Sequence, residues 1–207
     1  ALSPAVANAA AALGFPVVRI SGPDRFATAT LVATMLGPPS AIFEADGTSF
    51  ADALAAGTAA SAANGVVVLT SGATASAVTA SYLAANAGVR RYAIGGPAAT
   101  ADRSATPFVG ADRFATAVLV AQAFFPSPKA VGLASGVAFP DALAGGAVAG
   151  KAQGPIVLVP ASGALPASVV GYLSTAASSA TAAWLFGGTT AIAPQVFDQA
   201  AAILSGG

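Results

Sequence analysis

Asp24-Arg25-Phe26-Ala27-Thr28-Ala29 returns letter for letter as Asp112-Arg113-Phe114-Ala115-Thr116-Ala117, 88 positions later. Other landmarks repeat in the same order. Phe50-Ala51-Asp52-Ala53-Leu54-Ala55 matches Phe139-Pro140-Asp141-Ala142-Leu143-Ala144, and Gly65 with Val67-Val68-Leu69 matches Gly154 with Ile156-Val157-Leu158. Tyr82-Leu83 matches Tyr172-Leu173, and Gly95-Gly96 matches Gly187-Gly188. Ordered, spaced identities of this kind mark a tandem duplication, so the fold can be read once for a single unit.

Within one unit, short apolar β-branched runs at Val17–Ile20, Ala41–Glu44, Val66–Thr70 and Val89–Ile94 predict strands. Between them, apolar residues recur at helical spacing in the Ala-rich stretches Asp24–Leu36, Ala51–Ala63 and Thr74–Ala87. Asn64-Gly65 and Gly88 stand where helices end. Strand–helix alternation predicts right-handed crossovers and a parallel sheet with helices on both faces. The expectation is two superposable α/β units, residues 1–107 and 108–207, each with a core of about four strands.

The N-terminus carries a third fragment. Ala1-Leu2-Ser3-Pro4-Ala5-Val6 resembles Ala191-Ile192-Ala193-Pro194-Gln195-Val196, which closes the second unit. No matching helix is evident between Gly96 and Phe108. The expectation is that a helix over residues 1–14 folds back to fill that gap, with self-association of the chain as the competing outcome.

Composition narrows the function. Eight basic residues balance eight acidic ones, so no electrostatic field recruits nucleic acid or an acidic membrane. Mean hydropathy is +0.76. Much of it is Ala interrupted by Gly, Ser, Thr or Pro, and no apolar run reaches the roughly 18 residues of a membrane span. The chain has no Cys and no His, which removes thiol nucleophiles, disulfides, Cys/His zinc sites and the commonest general base. P-loop, Gly-x-Gly-x-x-Gly and Gly-x-Ser-x-Gly patterns are missing too. These features point to a binding module rather than an enzyme, with no cofactor and no metal. An Ala-rich, Lys-poor composition suggests a high-GC actinobacterial source.

At the Asp-Arg-Phe-Ala-Thr-Ala, Phe-x-Asp-Ala-Leu-Ala, apolar-Val-Leu and Gly-Gly landmarks, both units resemble the cell-wall-binding repeat type 2 family. The resemblance runs from about Val17 to the C-terminus. It implies Toprim-like or Rossmann-like parallel-sheet units, commonly three around a pseudo-threefold axis. It also implies a secreted Gram-positive surface protein, held noncovalently to wall polymers (teichoic-acid-like or other secondary polymers), often beside an effector domain. The family's central apolar triplet falls on Val67-Val68-Leu69 and Ile156-Val157-Leu158. A structural or self-assembling surface protein is the second reading, and a hydrolase on a doubly wound fold the third.

Candidate binding groups follow from position. Asp24-Arg25 and Asp112-Arg113 stand at helix starts, where Asp caps free N–H groups and Arg offers a planar fork to phosphate or carboxylate. The alternative is that Arg and Asp pair with each other. Thr28 and Thr116 join them as hydrogen-bonding groups of the same hexapeptide. Asp52 and Asp141 read as N-caps or as contacts to sugar hydroxyls. Ser135 follows the second strand of its unit, in the loop region where open α/β sheets collect ligands. Arg25, Arg113 and Lys151 are the cations expected to meet an anionic polymer. Glu44-Ala45-Asp46 has too few ligands for a metal, because its counterparts are Leu133 and Ser135. Trp184, Tyr82 and Tyr172 read as packing residues.

Overall fold

A computed structural model describes residues 2–206; Ala1 and Gly207, the outer ends of the two expected units, lie outside the described residues. The elements in order are α1 (Pro4–Ala12), α2 (Arg25–Met35), β1 (Ala41–Asp46), α3 (Ala51–Ala62), β2 (Val66–Thr70), α4 (Ala77–Ala85), β3 (Arg90–Ile94) and α5 (Gly96–Ala101). They continue with β4 (Thr106–Phe108), α6 (Arg113–Phe124), β5 (Ala130–Ser135), α7 (Pro140–Lys151), β6 (Ile156–Val159), α8 (Ala167–Ala176), β7 (Ala182–Phe186) and α9 (Pro194–Ser205). Two separate parallel sheets result, ordered β2-β1-β3-β4 and β6-β5-β7. The protein is an α/β fold of two parallel-sheet units flanked by helices.

Strand alternation decides the layers. On β1, Ala41 and Phe43 face the core that holds α3, while Ile42 faces α2 and α4 through Ala33 and Leu83. In the second unit, Ala134 turns toward the α3–α7 core, and Val131 and Leu133 turn toward α6, α8 and α9. The α3–α7 core is shared by both units. Small residues permit this: Ala55 and Ala59 of α3 and Ala142 and Ala149 of α7 are buried together. The buried Thr58 hydroxyl of α3 accepts a hydrogen bond from the Ile156 amide of the second unit at 3.4 Å.

β4 joins the wrong sheet for its repeat. It precedes Asp112 as Val18–Ile20 precedes Asp24, so it opens the second repeat, yet it pairs with β3 of the first in the register Tyr92–Thr106, Ala93–Pro107, Ile94–Phe108. Phe124 of α6 follows it in and meets Phe43, Tyr92 and Phe108 at ring separations of 5.1, 5.1 and 5.8 Å. The first sheet therefore has four strands and the second three.

Three expectations are corrected. Val17–Ile20 belongs to no strand among the described residues; it lies beside α1, lining a cleft with Val6, Ala7 and Ala10. The gap after Gly96 holds the short helix α5, entered through Gly95 at φ 88° and the ring of Pro97 in its first turn. α1 does not fill that gap: it buries none of its residues and is tied to the chain by Arg19, which donates to the carbonyls of Leu2 and Ser3 at 2.9 and 3.3 Å.

Candidate functional site

Because all strands run parallel, the starts of α2, α3, α6 and α7 gather beyond the carboxyl ends of the strands. That rim holds most of the expected binding residues. Asp24 accepts a hydrogen bond from the Ala27 amide at 2.7 Å and Asp112 accepts one from Ala115 at 2.8 Å, so both cap their helices. Thr28 and Thr116 fix the turn before the cap, each accepting from a glycine amide (Gly22 and Gly110) at 3.0 Å. No Arg–Asp pair forms within the motif. Instead Arg25 donates to the Gly47 carbonyl and Arg113 to the Gly136 carbonyl, each at 2.6 Å. The glycine is required there, since a Cβ at Gly47 or Gly136 would meet the ring of Phe26 or Phe114 at 2.8 or 2.7 Å.

Both guanidinium groups are thus bolted to a backbone carbonyl on an exposed rim, and among the described residues neither has a carboxylate within ion-pair distance. Arg113 also stands over the Phe50 ring, 5.7 Å from its centroid, across the junction between units.

Asp52 and Asp141 are not N-caps. The cap positions are Phe50 and Phe139, and the two aspartates lie in the first turns of α3 and α7, half-buried. There they stabilise the helix starts through the dipole. Each also leans on a glycine at positive φ: a Cβ at Gly95 would collide with the Asp52 carboxylate, and one at Gly187 would lie 2.8 Å from Asp141 Oδ2. Burial raises the pKa of Asp52, the nearby Arg113 charge opposes this, and Asp46 adds to it. Phe50 and Phe139 approach to 5.7 Å across the junction, an aromatic contact the repeat alone does not announce.

Ser135 and Asp46 occupy matching positions at the ends of β5 and β1. Ser135 Oγ accepts from the Val137 amide at 3.2 Å, and Asp46 accepts from the Thr48 amide at 2.8 Å and from Gly72 at 3.0 Å. Burial pushes the pKa of Asp46 up, but bonds from the Thr48 hydroxyl and amide and from Gly72 outweigh it and leave the group lowered. These are loop-fixing contacts. Lys151 ends α7, so it sits at the opposite end of the sheet from Arg25 and Arg113 and is not gathered with them.

Sequence reading missed one cluster. Glu44 on β1 is fully buried, and neither of its carboxyl oxygens has a hydrogen-bond partner. Burial first, then the charge of Asp102, push its pKa to about 8, so it is protonated at neutral pH. Asp102 itself pairs with Arg91 at 2.8 Å. Burial works to raise Asp102, yet hydrogen bonds from Ser104 and Arg91 hold it at about 2. The only signal was an acid in an apolar strand. No group of three or more metal-binding side chains occurs among the described residues, and no helix is long and apolar enough to cross a membrane.

Trp184 is half-buried rather than core. With Leu185, Phe197 and Leu204 it lines a cleft of about 310 Å³ between β7 and α9. Tyr172 is core, its hydroxyl donating to the Phe125 carbonyl at 3.1 Å.

No curated protein sequence matches the chain. Among solved structures it resembles Cwp6 from Clostridium difficile, with TM-score 0.78 and 23% identity over 89% of this chain and 31% of that one. It also resembles Cwp8 from Clostridium difficile, with TM-score 0.84 and 21% identity over 99% of this chain and 36% of that one. The chain spans about a third of the length of these proteins, and at such identities the likeness is one of fold. The sequence profile described as cell wall binding domain 2 (CWB2) matches twice, over residues 19–104 and 108–197. Together these two matches take in most of the chain, which therefore belongs to the cell wall binding domain 2 family as a tandem pair of its repeats.

Proposed function

We propose that this chain is a non-catalytic anchor that holds an exported protein of a Gram-positive, actinobacterial cell to an anionic secondary polymer of the wall, teichoic-acid-like in charge. Family membership supports a cell-wall-binding module at the cell surface. The observation that carries the finer reading is the repeated rim arginine: Arg25 and Arg113, each held by one 2.6 Å bond to a loop carbonyl. A guanidinium fixed in this way keeps donors for phosphate or carboxylate and loses little side-chain freedom on binding. Neutral hydroxyls and amides of the same loops suit sugar units between charges. Any effector domain would lie elsewhere in a longer protein. The lack of His and Cys supports a binding rather than a catalytic role.

Co-sedimentation with purified Gram-positive walls tests this. Binding should fall when acid hydrolysis strips phosphate-linked polymers, fall again with rising salt, and drop about tenfold in an Arg25→Gln/Arg113→Gln variant. Equal binding to stripped and intact walls would overturn the polymer reading.

A further inference from the structure

We propose that the amino ends of the strands carry a second anion-binding site, a recess beside Arg90 that takes a sugar phosphate, at the opposite end of the sheets from Arg25 and Arg113. The chain is neutral as a whole, but its charge is segregated along the strands. α3 and α7 run side by side, their starts meeting at Phe50 and Phe139 and their ends at Ser61 and Gly150, so both sheets point the same way. At the carboxyl end, Asp24, Asp46, Asp52, Asp112 and Asp141 outnumber Arg25 and Arg113. At the amino end stand Arg90, Arg91, Arg103, Lys129 and Lys151 against Asp102, which is paired with Arg91 at 2.8 Å.

Helix dipoles account for part of this pattern, namely the acids at helix starts and Lys151 in the last turn of α7. Arg90 and Lys129 belong to no helix: one opens β3 and the other precedes β5. Both are exposed, and among the described residues neither has a carboxylate within ion-pair distance. The two units place a cation at the same corner by different routes. Arg90 is in register with Ala41, directly after Ser40; in the second unit Ala182 is in register with Ala130, and the cation is Lys129, the counterpart of Ser40.

In the first unit this corner is a recess of about 540 Å³, lined by Ser40, Ala63, Gly88, Arg90 and Tyr92. Alternate residues of a strand share a face, so Arg90 and Tyr92 point the same way, and Arg90 reaches the Tyr92 hydroxyl at 3.5 Å. The walls are fixed. The Ser40 amide donates to the Asn64 carbonyl at 3.0 Å, and Gly65 passes so near β1 that a Cβ there would lie 2.6 Å from the Ala41 carbonyl oxygen. A guanidinium beside two hydroxyls in a cavity of that size fits a phosphate carrying one sugar ring, with Arg90 on the phosphate oxygens and Ser40 and Tyr92 on the ring hydroxyls. The other cations of that end raise the local potential for an anion. The site shares no residue with the rim arginines, so it stands or falls independently of the polymer reading.

Proton–nitrogen NMR titration of the full chain tests this, with glucose 1-phosphate, inorganic phosphate and glucose as probes. Glucose 1-phosphate should shift the Gly88, Arg90 and Tyr92 amides and the Arg90 Nε–H, and its affinity should fall as salt is raised. Inorganic phosphate should shift the same groups with about tenfold weaker affinity, and neutral glucose should leave them in place. Arg90→Gln should weaken glucose 1-phosphate binding by about tenfold, and Tyr92→Phe, which keeps the ring, by about threefold. Arg19→Gln, the same charge change beside α1, should alter it less than about twofold. Shifts confined to the other end of the sheets, no shifts at all, or binding that ignores Arg90→Gln would each overturn the site. Glucose binding as well as glucose 1-phosphate would overturn the role of the charge, and inorganic phosphate binding as tightly would overturn the sugar contact.

Discussion

Tyr92 and Trp184 hold the same register position in two related sheets, and their aromatic surroundings differ. Tyr92 packs against three aromatic rings, Phe43, Phe108 and Phe124, whereas the aromatic neighbour of Trp184 is Phe186; both side chains are half-buried. The two positions belong to the same repeat pattern; what separates them among the described residues is that β4 lies beside β3 and β7 ends its sheet. The comparison teaches that the folding unit of this protein is offset from its sequence repeat by one strand.

At one buried position the units differ in charge, Glu44 in the first standing where the second has Leu133. Glu44 has a folded-state pKa of about 8 against an ordinary 4.5, so the folded protein binds a proton there that the unfolded chain releases. That contribution is fully present below pH about 4.5 and is lost as pH rises through about 8, a fall of order a few kcal/mol in the first unit's stability. Urea unfolding at pH 5 and pH 8 should show the slope in the wild type and a flatter profile in Glu44→Gln. An unchanged slope in the variant would assign the effect to another group.

Junction packing comes next. Phe124→Ala should cost about 2–3 kcal/mol, below the roughly 3–5 kcal/mol of a fully buried aromatic because the side chain is only half-buried, while Leu36→Ala at the matching place on α2 should cost less than about 0.5 kcal/mol. Thermal melts of the two variants check this, and equal losses would mean that α2 is covered as α6 is.

The helix caps sharpen the comparison from the other side, because there the units agree. Asp24→Ala and Asp112→Ala should each cost about 1 kcal/mol, since both carboxylates accept a bond of nearly equal length from the third helical residue. Chemical denaturation of both variants that separates them by more than about 1 kcal/mol would show that the cap is doing something beyond closing the helix.

The duplication, the alternation of elements and most helix bounds could be read from sequence because they rest on local periodicity and repeated letters. The position of Asp24-Arg25 and Asp112-Arg113 at helix starts followed from the same logic. The partner of each arginine did not, since Gly47 and Gly136 lie 22 and 23 residues away and a carbonyl leaves no mark in the alphabet. Strand β4 was hidden for a related reason: three residues containing a proline carry little strand signal, and no local pattern says which sheet receives them. The Glu44–Asp102–Arg91 cluster was hidden because it occurs in one unit only. Its second-unit register positions for Glu44 and Arg91 are Leu133 and Ala183, so looking for repeated chemistry passes over it.

Native-state hydrogen exchange on the dilute protein tests the central claim, that the first strand of one repeat completes the sheet of the repeat before it. Phe108 and Ile20 are matched positions, one bonded to β3 and one unpaired. The Phe108 amide should be protected close to the level of the β1 core, and the Ile20 amide should exchange within about tenfold of an unstructured chain. Equal protection of the two, whether both fast or both slow at low concentration, would contradict it.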